Sequence, residues 1–189
     1  CVDVAPKDAP NLNEDNYQPR GATPLIDAAF EIIKAIERKA KDEKVVICIQ
    51  TDGQENSSTE HNWEELKNLI QEKTKLGWQF NFFGVGIDAY DQGAKMGIAT
   101  ANTMAYDHRD PGATRAAFRA SASNTAGFAM GNLSSTAYTA KQKLDSGDAF
   151  QPGWAPDKSI DLTTPAFPQP TVRTTNAPKT TKGVGRINL

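Results

Sequence analysis

A chain of 189 residues with 21 basic and 23 acidic side chains carries a formal charge of -2, which gives no global electrostatic reason to hold nucleic acid or an anionic membrane. Its length suits one domain or one domain with an extension, its 38% apolar content is adequate but low, and no apolar run approaches the roughly 20 residues that span a bilayer. The first residues show no signal-peptide pattern, and two cysteines without a CxxC pair mildly favour a reducing compartment.

Residues 1–20 open on an alternating piece, CVDV, then turn polar through Pro6, Pro10 and Pro19. Pro24 suits the first turn of a helix with Thr23 as its N-cap. Leu25, Ile26, Ala29, Ile32, Ile33 and Ile36 then recur at helical spacing, predicting a helix to about Ala40. The run VVICI, residues 45–49, lacks polar alternation and reads as a central parallel strand covered on both faces, with Cys48 a buried thiol.

A second helix is predicted from about residue 59 to Leu76, with Trp63, Leu66, Leu69 and Ile70 as its stripe and Gly77 as its stop. Ser57 with Glu60 has the capping-box spacing, and Thr59 with Asn62 offers a second start. FNFFGVG, residues 80–86, is the next strand; a short helix near Asp91 to Met96 leads to a weak edge strand at Thr103 to Tyr106. Residues 111–144 are alanine-rich and read as mostly helical, with Gly127 and Gly131 interrupting the middle.

This alternation predicts an α/β fold: an open, mostly parallel sheet with helices on both faces, spanning residues 1–148. Only two strands are strongly written, fewer than the five or six usual for such sheets. Residues 149–189 form a Pro/Thr-rich tail or extended arm. Its apolar residues are scattered, and Trp154, Phe167, Ile187 and Leu189 are the candidate anchors for an arm ordered against a neighbour.

The first strand ends in TDGQE, residues 51–55. Open α/β sheets bind ligands beyond the carboxyl ends of their strands, so Asp52, Gly53 and Glu55 fall on that rim, where Glu55 either lines the site or bonds to loop amides. The helix leading into this strand returns its own start, with Gly21 and Thr23, to the same rim. Asp88, after the glycines of GVGID, is placed to face it as well. A hydroxyl and a carboxylate on loops suit a hard divalent cation such as Mg²⁺, whereas DG turns and Thr-Pro caps are also ordinary local structure.

Other chemistries are weaker. The Asp52–Glu55 spacing alone does not make a hydrolytic pair, and GVGID lacks the full dinucleotide fingerprint. His61 and His108 have no partners at zinc-ligand spacing. Arg109, Arg115 and Arg119 are offset by Asp107 and Asp110. No nucleophile or general base stands beside Asp52 in the pattern, so the residues do not point to an enzyme.

GATPL at residues 21–25, TDGQEN at 51–56 and YDHRDPGATRAAFRASAS at 106–123 together resemble a von Willebrand factor A domain of the bacterial and phage kind. The resemblance covers roughly residues 1–145 and leaves out the tail. It implies a metal-ion-dependent adhesion site, with Thr23 and Asp52 holding Mg²⁺ or Mn²⁺ that receives an acidic residue of a protein partner. The family's third motif, DxSxS after the first strand, occurs nowhere in these 189 residues. The resemblance therefore implies a first strand and helix upstream of CVDV, on another chain, or lost, and only with that segment does it imply a complete cation site. The alternative it leaves open is a structural or assembly protein, such as a phage virion component, whose tail wraps a neighbouring subunit. Either role implies a cytoplasmic or virion location, with no membrane embedding.

Overall fold

The computed structural model describes residues 8, 10, 11, 13–15, 21–86 and 88–148. CVDV and the 149–189 extension, with Trp154, Phe167, Ile187 and Leu189, lie outside the described residues. The elements are helix α1 (Leu25–Glu37), strand β1 (Val46–Thr51), α2 (Trp63–Lys75), β2 (Gln79–Val85), α3 (Asp88–Lys95), β3 (Thr103–Tyr106), α4 (Pro111–Ala129) and α5 (Ala140–Asp145).

The strands pair in parallel in the order β1-β2-β3, with Thr51 opposite Gly84 and Gly84 opposite Ala105. Helices cover both faces, as the alternation of strands and helices predicts. Side-chain alternation along β2 separates two cores. Phe80 and Phe82 join Ile47, Ile49, Leu25, Ile33, Leu66 and Ile70 beneath α1–α3. Phe83 joins Met104, Tyr106, Ala117, Ala120 and Tyr138 beneath α4 and the segment leading to α5. Burial of each large apolar side chain is worth about 1.5–3 kcal/mol, so these two clusters hold the layers together.

Several boundaries differ from expectation. Helix α1 stops at Glu37; the amides of Lys39 and Ala40 turn back onto the Ile36 carbonyl. Thr23 is not its N-cap. Pro24 occupies that position and makes no side-chain capping bond. Helix α2 starts at Trp63, and its capping box is Asn62 with Glu65 rather than Ser57 with Glu60. The expected helix over 111–144 breaks between Ala129 and Ala140, where Gly131 turns with φ 78°. A Cβ on Gly127 would stand 2.8 Å from Leu133, so a glycine there lets the chain fold back over the end of α4.

β1 is not the central, doubly covered strand that VVICI predicts. Among the described residues it lies at the sheet margin, and its burial alternates: Ile47, Ile49 and Thr51 are buried, while Cys48 and Gln50 are exposed. The reason is the reach of α4. That helix reaches β1 through the Ser121 and Thr125 hydroxyls near the Cys48 thiol, at 3.4 and 3.9 Å, which leaves the thiol exposed. Among the described residues β1 pairs with β2 alone, so its outer edge is bare. The β3 edge is sealed: Asp148 accepts from the Ala105 amide at 3.1 Å, and the Ser146 carbonyl accepts from the Asp107 amide at 3.1 Å.

An ion cluster joins α1 to α2. Lys73, only 3% exposed, donates to Glu37 and Glu72, and Lys34 also donates to Glu37. Lys34 and then Lys73 hold the Glu37 carboxyl at about 2, below its usual 4.5. A carboxyl depressed on folding stabilises above its unfolded pKa and loses that contribution as pH falls through the folded value. The expected result is a Glu37 carboxyl ¹³C titration with a midpoint about 2; a midpoint near 4.5 would remove the cluster from the fold.

Candidate functional site at the carboxyl rim

The threonine closing β1 has a structural task. Thr51 Oγ1 accepts from the Gly53 amide at 3.1 Å and donates to the Gly53 carbonyl at 2.9 Å. Those two bonds close a tight turn with Asp52 exposed at its tip. No described residue hydrogen-bonds to the Asp52 carboxylate.

Thr23 is brought to the same turn by its main chain. Its amide donates to Asn56 Oδ1 at 2.8 Å, and the Asn56 amide donates to the Thr23 carbonyl at 3.2 Å. This two-bond clamp leaves the Thr23 hydroxyl unspent among the described residues. A Cβ on Gly53 would lie 3.3 Å from Thr23 Oγ1, so the absence of a side chain allows the close approach. Thr23 therefore lies against Gly53 in the turn that follows β1.

Glu55 is not free to serve a ligand. Its Oε2 accepts from the Ile26 amide at 2.9 Å and the Ser58 hydroxyl at 2.7 Å; its Oε1 accepts from the Ser57 and Ser58 amides at 2.8 and 2.7 Å. Desolvation raises its pKa, but the bonds from Ser58, Ile26 and Ser57 outweigh it and hold the group below the usual carboxylate value. Glu55 caps α1 from the neighbouring loop, together with Ser58 Oγ, which accepts from the Ile26 and Asp27 amides. Asp27 reciprocates, accepting from the Thr59 and His61 amides at 2.8 Å each.

This interlock replaces the local cap expected of Thr23. Asp27, Asn56 and Ser58 were not among the residues singled out from the sequence, because their partners lie about 30 positions away and follow no short motif. Asp88 opens α3, and its carboxylate accepts from Gln54 Nε2 at 2.6 Å, tying the β1 and β2 loops together. Gly21 is exposed and crowds nothing.

Two oxygens, Thr23 Oγ1 and the Asp52 carboxylate, thus match a hard divalent cation in kind. They fall short in number, since Mg²⁺ demands a near-octahedral oxygen shell. No group of three or more His, Cys, Asp or Glu side chains among the described residues is arranged to hold a metal. No described helix is long and apolar enough to cross a membrane.

Among the described residues the fold is a small α/β domain, a three-stranded parallel sheet flanked by helices of the generic Rossmann-like kind. No family model, curated protein or solved structure matches the chain.

Proposed function

We propose that the rim is a protein-binding site of the von Willebrand factor A type. Thr23 and Asp52 contribute to holding Mg²⁺ or Mn²⁺, and the cation receives an acidic side chain from the partner. The observation carrying this reading is the approach of an unspent threonine hydroxyl, Thr23, to Gly53, the residue that follows the unpartnered Asp52. The reading holds only if a DxSxS segment, which these 189 residues do not contain, supplies the further oxygens together with water. The site binds rather than catalyses: Glu55 is consumed by its four donors and Asp88 by Gln54, which leaves neither placed as a general base.

Paramagnetic Mn²⁺ added to the ¹⁵N-labelled chain tests the cation step. The amides of Thr23, Asp52 and Gly53 are expected to broaden first, at concentrations on the order of millimolar for so sparse a ligand set. Asp52→Asn should abolish that selectivity. Broadening spread evenly over exposed carboxylates would sink the reading.

The bare β1 edge favours a second role, in assembly, with a neighbouring virion subunit completing the sheet. Slower alkylation of Cys48 in the assembled state than in the free chain is its expected signature.

A further inference from the structure

Among the described residues the outer margin of β1 is unprotected as well as bare. Natural sheets guard an open edge with lysine, proline or a bulge, and the evenly paired strand VICIQT has none of these. The Gln79 amide donates to the Val45 carbonyl at 2.9 Å. Main-chain groups alternate in direction along a strand, so Val45, Ile47 and Ile49 spend theirs on β2, while Val46, Cys48 and Gln50 turn theirs outward. Apolar side chains border the same margin. Cys48 is exposed on the α4 face. On the other face Glu37 bonds to Lys73 of α2. Ile32, about 140° round α1 from Glu37, is turned toward the margin and is 40% exposed.

Charge selects what this edge accepts. Two copies related by a two-fold axis set their β1 strands antiparallel. Ile47 and Ile49 of both copies stay on the α1 face only in registers that differ by steps of two. With Cys48 opposite Cys48 of the second copy, Val46 meets Gln50 and Ile47 meets Ile49. Lys44, two residues before the strand, then stands opposite Asp52, one residue past it, at both ends of the pairing. The Lys44 ammonium donates to the Phe128 and Ala129 carbonyls and has no described carboxylate. Asp52 is exposed and unpartnered. One step of slippage in one direction brings Asp42 toward Asp52, and one step in the other sets Lys44 against Gln54. Of the three registers, only the first places opposite charges across from each other.

We propose that two copies of this chain join their β1 edges antiparallel, centred on Cys48, into one continuous sheet. Val46 exchanges both main-chain bonds with Gln50 of the second copy, and Cys48 with its own counterpart. Lys44 and Asp52 pair at either end and fix the register. The inference rests on the assembly reading and deepens it: the neighbour that completes the sheet is the chain itself.

The full chain in EDTA, carrying Cys1→Ser so that one thiol remains, tests the pairing. Sedimentation equilibrium is expected to show a mass rising with concentration from 20.5 kDa toward twice that value. The two Cys48 Cα atoms of such a pair stand about 5.5 Å apart, inside the span of a disulfide. Diamide should therefore oxidise the two thiols to a covalent dimer. Val46→Cys on a Cys48→Ser background should not cross-link, because its counterpart lies about 14 Å away. Asp52→Lys should weaken association about tenfold by setting a like charge against Lys44. Val46→Pro removes an outward-facing amide and should abolish pairing while the domain still folds. A dimer indifferent to Val46→Pro, or one that cross-links through Val46→Cys and not through Cys48, overturns the proposal. A monomer at every concentration also overturns it. Rapid hydrogen exchange at Val46, Cys48 and Gln50 in that monomer would spare the wider assembly reading, because the edge is then open. Slow exchange would show the edge covered by another segment of the same chain and would end both.

Discussion

Asp148→Ala is expected to lower the unfolding free energy by roughly 3–5 kcal/mol, because removing one member of a buried charged cluster strands the others. Asp148 is 1% exposed and Lys143 fully buried. The Asp148 carboxylate accepts from the Tyr90 hydroxyl at 2.6 Å and the Ala105 amide at 3.1 Å. Lys143 in turn donates to Tyr90 at 3.1 Å and to the Thr100 carbonyl at 2.7 Å. Burial pushes the Lys143 ammonium down to about 8, and the Asp148 charge opposes that shift. Burial, then the bond to Asp148, raises the Tyr90 hydroxyl well above its ordinary value. Without Asp148 the lysine keeps the desolvation penalty and loses its counter-charge. Urea unfolding of the full chain measures the effect, and a loss below about 1 kcal/mol would show water replacing the carboxylate at little cost. Lys143→Met combined with Asp148→Leu should cost less than the two single changes added together, because neither charge is then stranded.

Glu55→Ala and Asp52→Asn are expected to separate stability from cation binding. Glu55 satisfies four donors in one carboxylate. Deleting it should cost roughly 2–4 kcal/mol, at about 1 kcal/mol or more per partly buried donor left without its charged acceptor. In the fraction that remains folded, Mn²⁺ should still broaden Thr23. Asp52, exposed and unpartnered, should change stability by less than about 0.5 kcal/mol while removing the selective Mn²⁺ response. Denaturant melts paired with Mn²⁺ titrations of both variants give the comparison. A Glu55 variant of unchanged stability that has lost the Mn²⁺ response would make Glu55 a ligand and reverse the assignment.

The layered architecture was legible because each long element states its period. Leu66, Leu69 and Ile70 mark α2, and Phe80 and Phe82 mark β2. Loop-mediated capping was not legible. Asp27, Glu55 and Ser58 cap across the α1–α2 interlock, and no local spacing announces bonds between residues so far apart. The position of VVICI was misread for a related reason. A run of branched residues reports that a strand is apolar, not how far a distant helix extends over it, and α4 reaches Cys48 through two hydroxyls without burying it. At the rim, the approach of Thr23 to Gly53 followed from topology alone. Which carboxylate was left unspent, Asp52 rather than Glu55, depended on hydrogen bonds visible only in three dimensions.

The two margins of the sheet have a consequence for how copies of this chain can associate. A fibre needs a donor edge and an acceptor edge on every subunit, so that each addition regenerates the end it consumed. Among the described residues the β3 side is occupied by Ser146 and Asp148, and β1 is the margin left to extend. Two copies meeting through β1 would use up both open margins and leave nothing to propagate. Sheet-to-sheet growth through the margins of the described residues would therefore terminate at a pair.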